Sequence, residues 1–214
     1  MPENKIIVLS GFSSSGKDTL LSKIVKNNPA IHPVVSNSSR PIRENETDGV
    51  EYNFVSKQSF IDSIENNEML EHRTYNVDFE GEKDIWYYGI SKKSMNEDKA
   101  YAVVLDINGV KALKEIYGDR VVSIFVHVED DIRKQRAVSR GSFDEVEWER
   151  RLKDDKTIFQ EVGVCDYFIE NVELDETVAV IENIIKNEVA GAVTDGSIID
   201  EYLSGGGGFE LAVG

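Results

Sequence analysis

The residues whose types and spacing most directly indicate chemistry lie in a loop near the start of the chain. Residues 6–9 are an apolar run, residues 11–19 read Gly-Phe-Ser-Ser-Ser-Gly-Lys-Asp-Thr, and a helical pattern covers 17–26. A strand, a Gly-x-x-x-x-Gly-Lys loop and a helix in this order are the setting of a phosphate-binding P-loop. Small residues let backbone N–H groups face an anion, and the helix N-terminus favours negative charge. The loop therefore predicts a nucleoside triphosphate site.

The predicted triphosphate site takes in most residues of this loop: Gly11, Ser13, Ser14, Ser15, Gly16, Lys17, Asp18 and Thr19. Lys17 supplies a positive charge for the β and γ phosphates. Asp18 stands where the motif has Ser or Thr, and its carboxylate repels a triphosphate unless a cation lies between them. Because Asp is a hard oxygen ligand, we predict that Asp18 or Thr19 holds Mg²⁺, directly or through water.

The elements that must hold this loop alternate between strands and helices. Strand patterns cover residues 6–9, 34–35, 101–105, 121–128 and 167–169, and helical patterns cover 17–26, 110–117, 130–139, 143–159 and 176–187. This alternation predicts an α/β fold, in which βαβ units form a parallel sheet with helices on both faces. Residues 36–91 differ, because short strands at 52–55 and 69–75 flank a helix at 60–66, and this pattern predicts an inserted α+β lobe.

Composition and charge restrict the partners. The 214 residues carry 40 Asp and Glu against 24 Lys and Arg, a formal net charge of −16. Such acidity argues against binding to nucleic-acid polymers or anionic membranes, because both would repel the chain. The run at 6–9 is too short for a signal sequence or a membrane span, and the single cysteine, Cys165, excludes an internal disulfide framework. We expect a cytoplasmic protein whose residues 188–214 form an acidic, glycine-rich, flexible tail.

A second group of phosphate-binding residues is predicted in the inserted lobe. Arg40 and Arg43 are three positions apart in a loop and can form a fork for a monophosphate dianion. Tyr52 and Tyr88 can add neutral O–H donors to the same phosphate. An isolated Arg-x-x-Arg loop is more often a solvated surface, so this interpretation depends on the neighbouring residues.

Those neighbours resemble the guanylate kinase family. Residues 35–55 combine a serine-rich run, Arg-x-x-Arg, an acidic residue, Gly49 and Tyr52-Asn53-Phe54-Val55 at the spacings of that family. The resemblance covers residues 4–187. It implies a P-loop NTPase-type core at 1–35 and 92–187, a nucleoside-monophosphate lobe at 36–91 and a small helical lid near 136–151. It also implies ATP as the phosphoryl donor and Mg²⁺ as the cofactor.

The same resemblance implies which residues read the acceptor base. Glu71 would accept hydrogen bonds from N1–H and from the exocyclic amino group of guanine, a pair of donors that adenine lacks. Asp106 would do similar work on the base or its sugar. Ser36 would donate to guanine O6.

The chain departs from the family pattern near these residues. Gly89 is followed by Ile90, where the family commonly has a serine that contacts guanine, although Ser91 is adjacent and can substitute. Residues 76–86 look like an insertion, and residues 106–109 are shortened. Phosphate binding is therefore better supported by the sequence than guanine selection.

The region near 136–151 contributes arginines that resemble those of the family's mobile lid: Arg136, Arg140 and Arg151. Converging arginines stabilise the charge of a phosphoryl group in transfer. Arg151 matches the family's lid arginine better than its neighbour Arg150, and salt bridges to nearby acidic residues are the alternative for all of them. Asn171 resembles the family's adenine-contacting asparagine.

The predicted activity is ATP-dependent phosphorylation of GMP, dGMP or both. One alternative is a kinase for another nucleoside or deoxynucleoside monophosphate, motivated by Ile90 and residues 76–86. The other is a noncatalytic guanylate kinase-like binding module, although such modules typically lose the P-loop residues Gly11, Gly16 and Lys17, which are present here. The sequence leaves open the preference for ribose or deoxyribose, the oligomeric state and the role of the tail.

Overall fold

The computed structural model describes residues 4–44, 46–79, 82–95, 99–139, 141 and 143–190. In chain order these residues form β1 (Ile6–Gly11), α1 (Lys17–Asn27), β2 (Ile31–Pro33), β3 (Asn37–Ser38), β4 (Asn53–Phe54), α2 (Lys57–Glu65), β5 (Met69–Phe79), β6 (Glu82–Ser91), β7 (Ala100–Val104), α3 (Ile107–Tyr117), β8 (Val121–His127), α4 (Asp130–Ser139), α5 (Glu145–Phe159), β9 (Tyr167–Glu170) and α6 (Leu174–Ala190). No helix among these residues is both long enough and apolar enough to span a membrane.

The central sheet is parallel and has five strands in the order β2-β7-β1-β8-β9. Side chains of β1, the middle strand, point alternately to the two faces of the sheet. Ile6 and Val8 pack into one core with Leu113 of α3, whereas Ile7 and Leu9 pack into a second core with α1 and α6. Helices therefore cover both faces, as the sequence predicted, and the loop after β1 emerges at the carboxyl edge of the sheet.

The second sheet belongs to the inserted lobe and has four strands in the order β4-β3-β6-β5. Ser56 caps the N-terminus of α2, its side chain accepting a hydrogen bond from the backbone N–H of Ser59. Phe60 of α2 is buried against Tyr87 of β6, with ring centroids 5.5 Å apart. This helix therefore covers one face of the small sheet.

Three elements differ from the predicted ones. The second strand is β2, not residues 34–35, because the chain turns into the lobe there, although the Val34 N–H still donates to the Ala102 carbonyl. Strand β5 continues beyond the predicted end at 75, and its outer residues, which look like part of an insertion relative to the family, pair with β6, Asn76 with Ile85. Helix α6 continues three residues beyond the predicted end at 187, and the rest of the predicted tail, 191–214, lies outside the described residues.

The α3 packing predicts different costs for two truncations on one helix. Leu113 is fully buried between α3 and the sheet, whereas Ile116 is 48% exposed. Leu113→Ala should lower the free energy of unfolding by about 2–5 kcal/mol, because it leaves a cavity in the core. Ile116→Ala, the matched control, should change it by less than about 0.5 kcal/mol. Chemical denaturation of both variants measures the difference, and equal losses would contradict the assigned core.

Candidate active site

The loop after β1 has the backbone conformation that anion binding requires. Gly11 and Gly16 have φ angles of 144° and 95°, and Ser14 has φ of 63°. A Cβ atom added to Gly11 would lie 2.2 Å from the Val126 carbonyl oxygen, and one added to Gly16 would lie 2.4 Å from Asn171 Nδ2. Both glycines are therefore fixed by their φ angles and by close neighbours.

Lys17 lies over this loop. Its Nζ donates to the Phe12 carbonyl at 2.7 Å and lies 3.5 Å from Ser15 Oγ. Asp18 and Thr19 follow in the first turn of α1, and both are exposed. The structure thus places all three residues predicted to hold a nucleoside triphosphate and its metal ion in the first turn of α1, directly after the loop.

Two further side chains hold the loop from behind. Asn171 is buried, and its Nδ2 donates to the Ser15 carbonyl at 2.7 Å. Arg136 donates to the same carbonyl at 3.3 Å and to the Asn171 carbonyl at 2.9 Å. Arg136 and Asn171 therefore meet at the loop and both contact its backbone directly, while the predicted contact of Asn171 with adenine stays a prediction.

Arg151 reaches the loop from α5, where its Nη1 donates to Ser13 Oγ at 2.7 Å. Its neighbour Arg150 is on the exposed side of α5. This placement favours Arg151 as the arginine that faces the phosphates. Arg140 lies outside the described residues, so its predicted role stays a prediction.

Arg133 contacts the loop and was not predicted. It is 1% exposed, and its Nε donates to the Ser13 carbonyl at 2.9 Å. It also pairs with Asp130 at 2.7 Å and with Asp155 of α5. Burial raises the pKa of Asp155, and the Arg133 cation opposes that shift. One guanidinium group therefore ties the loop to α4 and α5.

Aromatic rings enclose the same guanidinium. The Arg133 Cζ atom lies 4.8 Å from the centroid of the Phe12 ring and 5.3 Å from that of Trp148. Phe12 belongs to the loop and Trp148 to α5, so stacking and ion pairing join the same three parts. The helical spacing from Arg133 to Arg136 was the available signal for this residue, but it does not reveal Asp155.

The lobe places the second pair of arginines beside the predicted tyrosines. Arg40 is 5% exposed and binds Glu46 through two hydrogen bonds of 2.7 and 2.6 Å. Its guanidinium lies 5.1 Å from the centroids of both the Tyr52 and Phe54 rings. Glu46 was not predicted to take part, and its two hydrogen bonds orient the Arg40 guanidinium.

Charged groups of the lobe and of the loop side affect one another. Partial burial and the nearby cations Arg40 and Arg151 hold the pKa of Arg43 below its usual value, and Glu46 offsets part of this effect. Burial and the carboxylate of Asp18 raise the pKa of Tyr52 to about 12. Arg151 and Asp18 belong to the loop side of the cleft, so their charges act across it on the lobe.

Burial likewise raises the pKa of Tyr88, against the effect of Arg40 and Arg43. Tyr52 and Tyr88 lie together, with ring centroids 5.7 Å apart. Both phenols keep their protons near neutral pH and remain hydrogen-bond donors for an anion. The four residues predicted to hold a monophosphate are therefore in one place.

The residues predicted to read the base have an unpredicted partner. Arg73 of β5 pairs with Glu71 through Nη1 at 2.6 Å and with Asp106 through Nε at 2.6 Å. Ser36 is buried just before β3. The period of two along a strand puts Arg73 on the face of Glu71, which was the available sequence signal.

Known proteins with similar sequences decide the family. The family model described as guanylate kinase matches residues 3–188. Over 179 residues the chain is 33% identical to a guanylate kinase of Helicobacter hepaticus, a match that covers 81% of this chain and 86% of that protein. This chain belongs to the guanylate kinase family.

Further matches agree with this membership. A guanylate kinase of Symbiobacterium thermophilum is 33% identical over 206 residues, which cover 94% of each chain. The crystal structure of guanylate kinase from Anaplasma phagocytophilum has the same fold, with a TM-score of 0.64 and 24% identity over 94% of this chain and 96% of that one. The predicted family, the P-loop NTPase-type fold and the predicted enzyme class, an ATP-dependent nucleoside monophosphate kinase, are confirmed.

The Arg133 contacts predict an effect on phosphoryl transfer. Arg133→Lys keeps a cation near Asp155 but loses the planar group that stacks between Phe12 and Trp148. Because small displacements of catalytic groups are costly, kcat should fall by about ten- to hundredfold. KM for the acceptor should change by less than about twofold, since the acceptor residues are not touched.

Steady-state kinetics and thermal denaturation of Arg133→Lys are to be compared with Lys134→Met on the same helix. Lys134 is more exposed and pairs with Glu145. A loss of kcat equal in both variants, or an acceptor KM that rises with the loss of kcat, would contradict a role of Arg133 in placing the loop and Arg151.

Proposed function

We propose that this chain transfers the γ-phosphate of ATP to GMP, dGMP or both, giving ADP and the nucleoside diphosphate. The observation that supports the proposal is the approach of arginines from the lobe and from α5 to the P-loop. Arg151 of α5 donates to Ser13 Oγ of the loop, and burial together with the charges of Arg40 and Arg151 lowers the pKa of Arg43 in the lobe. Such a cluster favours two phosphate groups placed end to end.

On the donor side, the loop binds the triphosphate of ATP through its backbone N–H groups. Lys17 moves from the Phe12 carbonyl to the β and γ phosphates when they arrive. Arg136, Arg151 and the predicted Arg140 stabilise the charge of the phosphoryl group as it moves between the nucleotides. Asn171 supports ATP binding through its hydrogen bond to the Ser15 carbonyl.

On the acceptor side, Arg43, Tyr52 and Tyr88 bind the monophosphate, and Arg40 stabilises it from the buried end of the site. No general base is required, because an oxygen of the monophosphate is already anionic near neutral pH. Glu46 neutralises part of the charge of Arg40. The rigid Arg40–Glu46 pair thus orients the site, while Arg43, which is more exposed, is available to the phosphate.

The donor residues fit Mg²⁺. The Asp18 carboxylate is exposed at the first turn of α1, and its effect on Tyr52 supports an orientation toward the cleft. Carboxylate and hydroxyl oxygens are the hard ligands that this ion prefers, so Asp18 and Thr19 would hold it directly or through water. When bound, Mg²⁺ neutralises phosphate charge.

Closure of the lobe and the lid over the cleft excludes water and prevents ATP hydrolysis. A cytoplasmic location is part of the same proposal, because the substrates are nucleotides and the acidic chain repels nucleic-acid polymers. The noncatalytic module is not favoured, because the P-loop geometry and its supporting contacts are all present.

The acceptor assignment predicts a rank order of substrates. In a coupled assay of ADP release, GMP and dGMP should be turned over with kcat/KM at least about 100-fold above that of AMP and CMP, because mispaired hydrogen-bonding groups in a polar site are costly. UMP and the other deoxynucleotides complete the panel. Turnover of non-guanine acceptors alone would contradict the guanine assignment. The absence of turnover with every acceptor would contradict the proposal that the chain is an active kinase.

The metal assignment predicts a change in Mg²⁺ dependence. Asp18→Asn removes the charge but keeps an oxygen, so half-maximal activity should require about tenfold more Mg²⁺, as expected for the loss of one charged contact. Titration of activity with Mg²⁺ at fixed ATP measures this change. Asp62→Asn, an exposed substitution in α2, is the control. An unchanged Mg²⁺ requirement would remove Asp18 from the metal site.

A further inference from the structure

Arg73 lies where the acceptor base is expected, between the two carboxylates assigned to it. Its Nη1 is 2.6 Å from Glu71 Oε2, and its Nε is 2.6 Å from Asp106 Oδ2. The side chains of Arg73 and Glu71 are 14% and 3% exposed. Burial alone would lower the pKa of Arg73, but Asp106 and Glu71 raise it above its usual value. The base site therefore contains a permanent cation.

The position of Arg73 along the hairpin places it between the base and the phosphate. Cross-strand pairs on one face of the lobe sheet are Glu71 with Ile90 and Arg73 with Tyr88. Tyr88 belongs to the phosphate end and Glu71 to the base end. The Arg73 charge also lowers the pKa of Tyr52, against the larger effect of burial. Arg73 therefore lies on the face of the lobe sheet that carries both Glu71 and Tyr88.

This face has no serine at the position next to Gly89. Ile90 is fully buried and offers no hydrogen bond. Ser91, the substitute expected from the sequence, is the next residue along β6 and so points to the opposite face of the strand. Ser36, buried just before β3, is still expected to donate to the carbonyl group of the base, so Ile90 removes only a second donor, and a replacement for it would come from another residue on the Glu71 face.

The two carboxylates are not equally available to a base. Asp106 Oδ1 caps α3 by accepting from the Gly109 N–H at 2.8 Å, and Oδ2 accepts from the Tyr75 hydroxyl and forms an ion pair with Arg73, whose Nε lies nearby without hydrogen-bond geometry to any described residue. Glu71 differs, because its Oε1 is buried and accepts no hydrogen bond from any described residue. The site thus offers one open acceptor oxygen, and the Arg73 guanidinium lies directly beside it.

We propose that Arg73 determines base specificity: it donates a hydrogen bond to the carbonyl oxygen of the acceptor base, while Glu71 Oε1 accepts from the adjacent ring N–H. This inference rests on the proposed function and names the residue that replaces the missing hydroxyl at position 90. Asp106 holds the guanidinium in place and is a positioning residue. Gly109 leaves the room required, since a Cβ there would lie 2.9 Å from Arg73 Nη1.

The chemistry of the bases gives this arrangement its selectivity. Guanine presents O6, an acceptor, next to N1–H, a donor, so it matches Arg73 and Glu71 in order. Adenine presents an amino group and a bare ring nitrogen, so donor would face donor and acceptor would face acceptor. Because Asp106 is already occupied by groups of the chain, it does not accept from the 2-amino group of guanine. The 2-amino group therefore contributes less to selectivity than O6 does.

The hydrogen bond between Arg73 and the carbonyl oxygen of the base can be tested by a thermodynamic cycle that combines one change in the protein with one change in the substrate. 6-Thioguanosine monophosphate keeps the ring N–H and the amino group but replaces O6 by sulfur, a weaker acceptor. For the unaltered chain, kcat/KM should fall by about tenfold from GMP to the thio analogue, and Arg73→Gln should lose about tenfold on GMP, as for a charged hydrogen bond. The two losses should not add, so the variant should prefer GMP over its analogue by less than about twofold.

Lys83→Gln is the matched control, because Lys83 is exposed on the same hairpin. It should keep the unaltered preference between the two substrates. Equal losses by Arg73→Gln on both substrates would overturn the proposal, since any loss from altered folding affects both alike. Arg73→Lys, which keeps the cation beside both carboxylates, repeats the cycle with the same two outcomes if Arg73→Gln does not fold.

A further comparison requires no variant. IMP lacks only the 2-amino group, so its kcat/KM should fall less from that of GMP than does that of the thio analogue. The reverse order would also overturn the proposal. Both outcomes differ from failure of the proposed function, which would be the absence of GMP turnover by the unaltered chain.

Discussion

The site depends on the carbonyl groups of the phosphate-binding loop. A loop that turns its N–H groups inward, toward an anion, turns carbonyl groups outward, and buried carbonyls require donors. The Ser13 carbonyl accepts a hydrogen bond from Arg133, and the Phe12 carbonyl accepts one from Lys17. The Ser15 carbonyl accepts hydrogen bonds from both Asn171 and Arg136. These donors come from α1, from α4 and from the segment after β9, so several parts of the chain are held by the same small loop. Residues that contact phosphate and residues that support the loop are therefore close neighbours, and some of them do both.

Charge placement resolves the apparent conflict between an acidic chain and anionic substrates. The formal charge is −16, and the chain has nine arginines. The predicted phosphate residues account for many of them, and the structure adds Arg73 and Arg133 to the same region. Each of these two is paired with two carboxylates, which gives it a fixed position without a large net charge. Arg43, by contrast, keeps its guanidinium among other cations. The acidic residues thus orient some arginines and leave others free to meet a phosphate.

The sequence predicted most of the fold because periodicity and the loop motif are local signals. Apolar runs identified the buried strands, and Gly11, Gly16 and Lys17 identified the loop. Arg73 and Arg133 were missed although strand and helix spacing place them beside predicted residues, because these local patterns do not reveal partners such as Asp106 and Asp155 that are distant in sequence. The second strand was predicted at Val34 and Val35 because these residues are apolar. Its pairing with β7 in fact ends one residue earlier, at Pro33. The strand predicted to end at 75 continues to Phe79, because the pairing of its outer part with β6 is visible only in three dimensions.

The chain contains two tryptophans, and they lie in different parts of the site. Trp148 is buried in α5 with its ring against the Arg133 guanidinium, whereas Trp86 lies on β6 of the lobe and donates to Asp84. Indole fluorescence responds to nearby charge and to solvent, so each ring is an intrinsic optical reporter for the part that carries it. With one indole replaced by Phe, the emission of the other follows the movement of lid or lobe in solution without an attached dye.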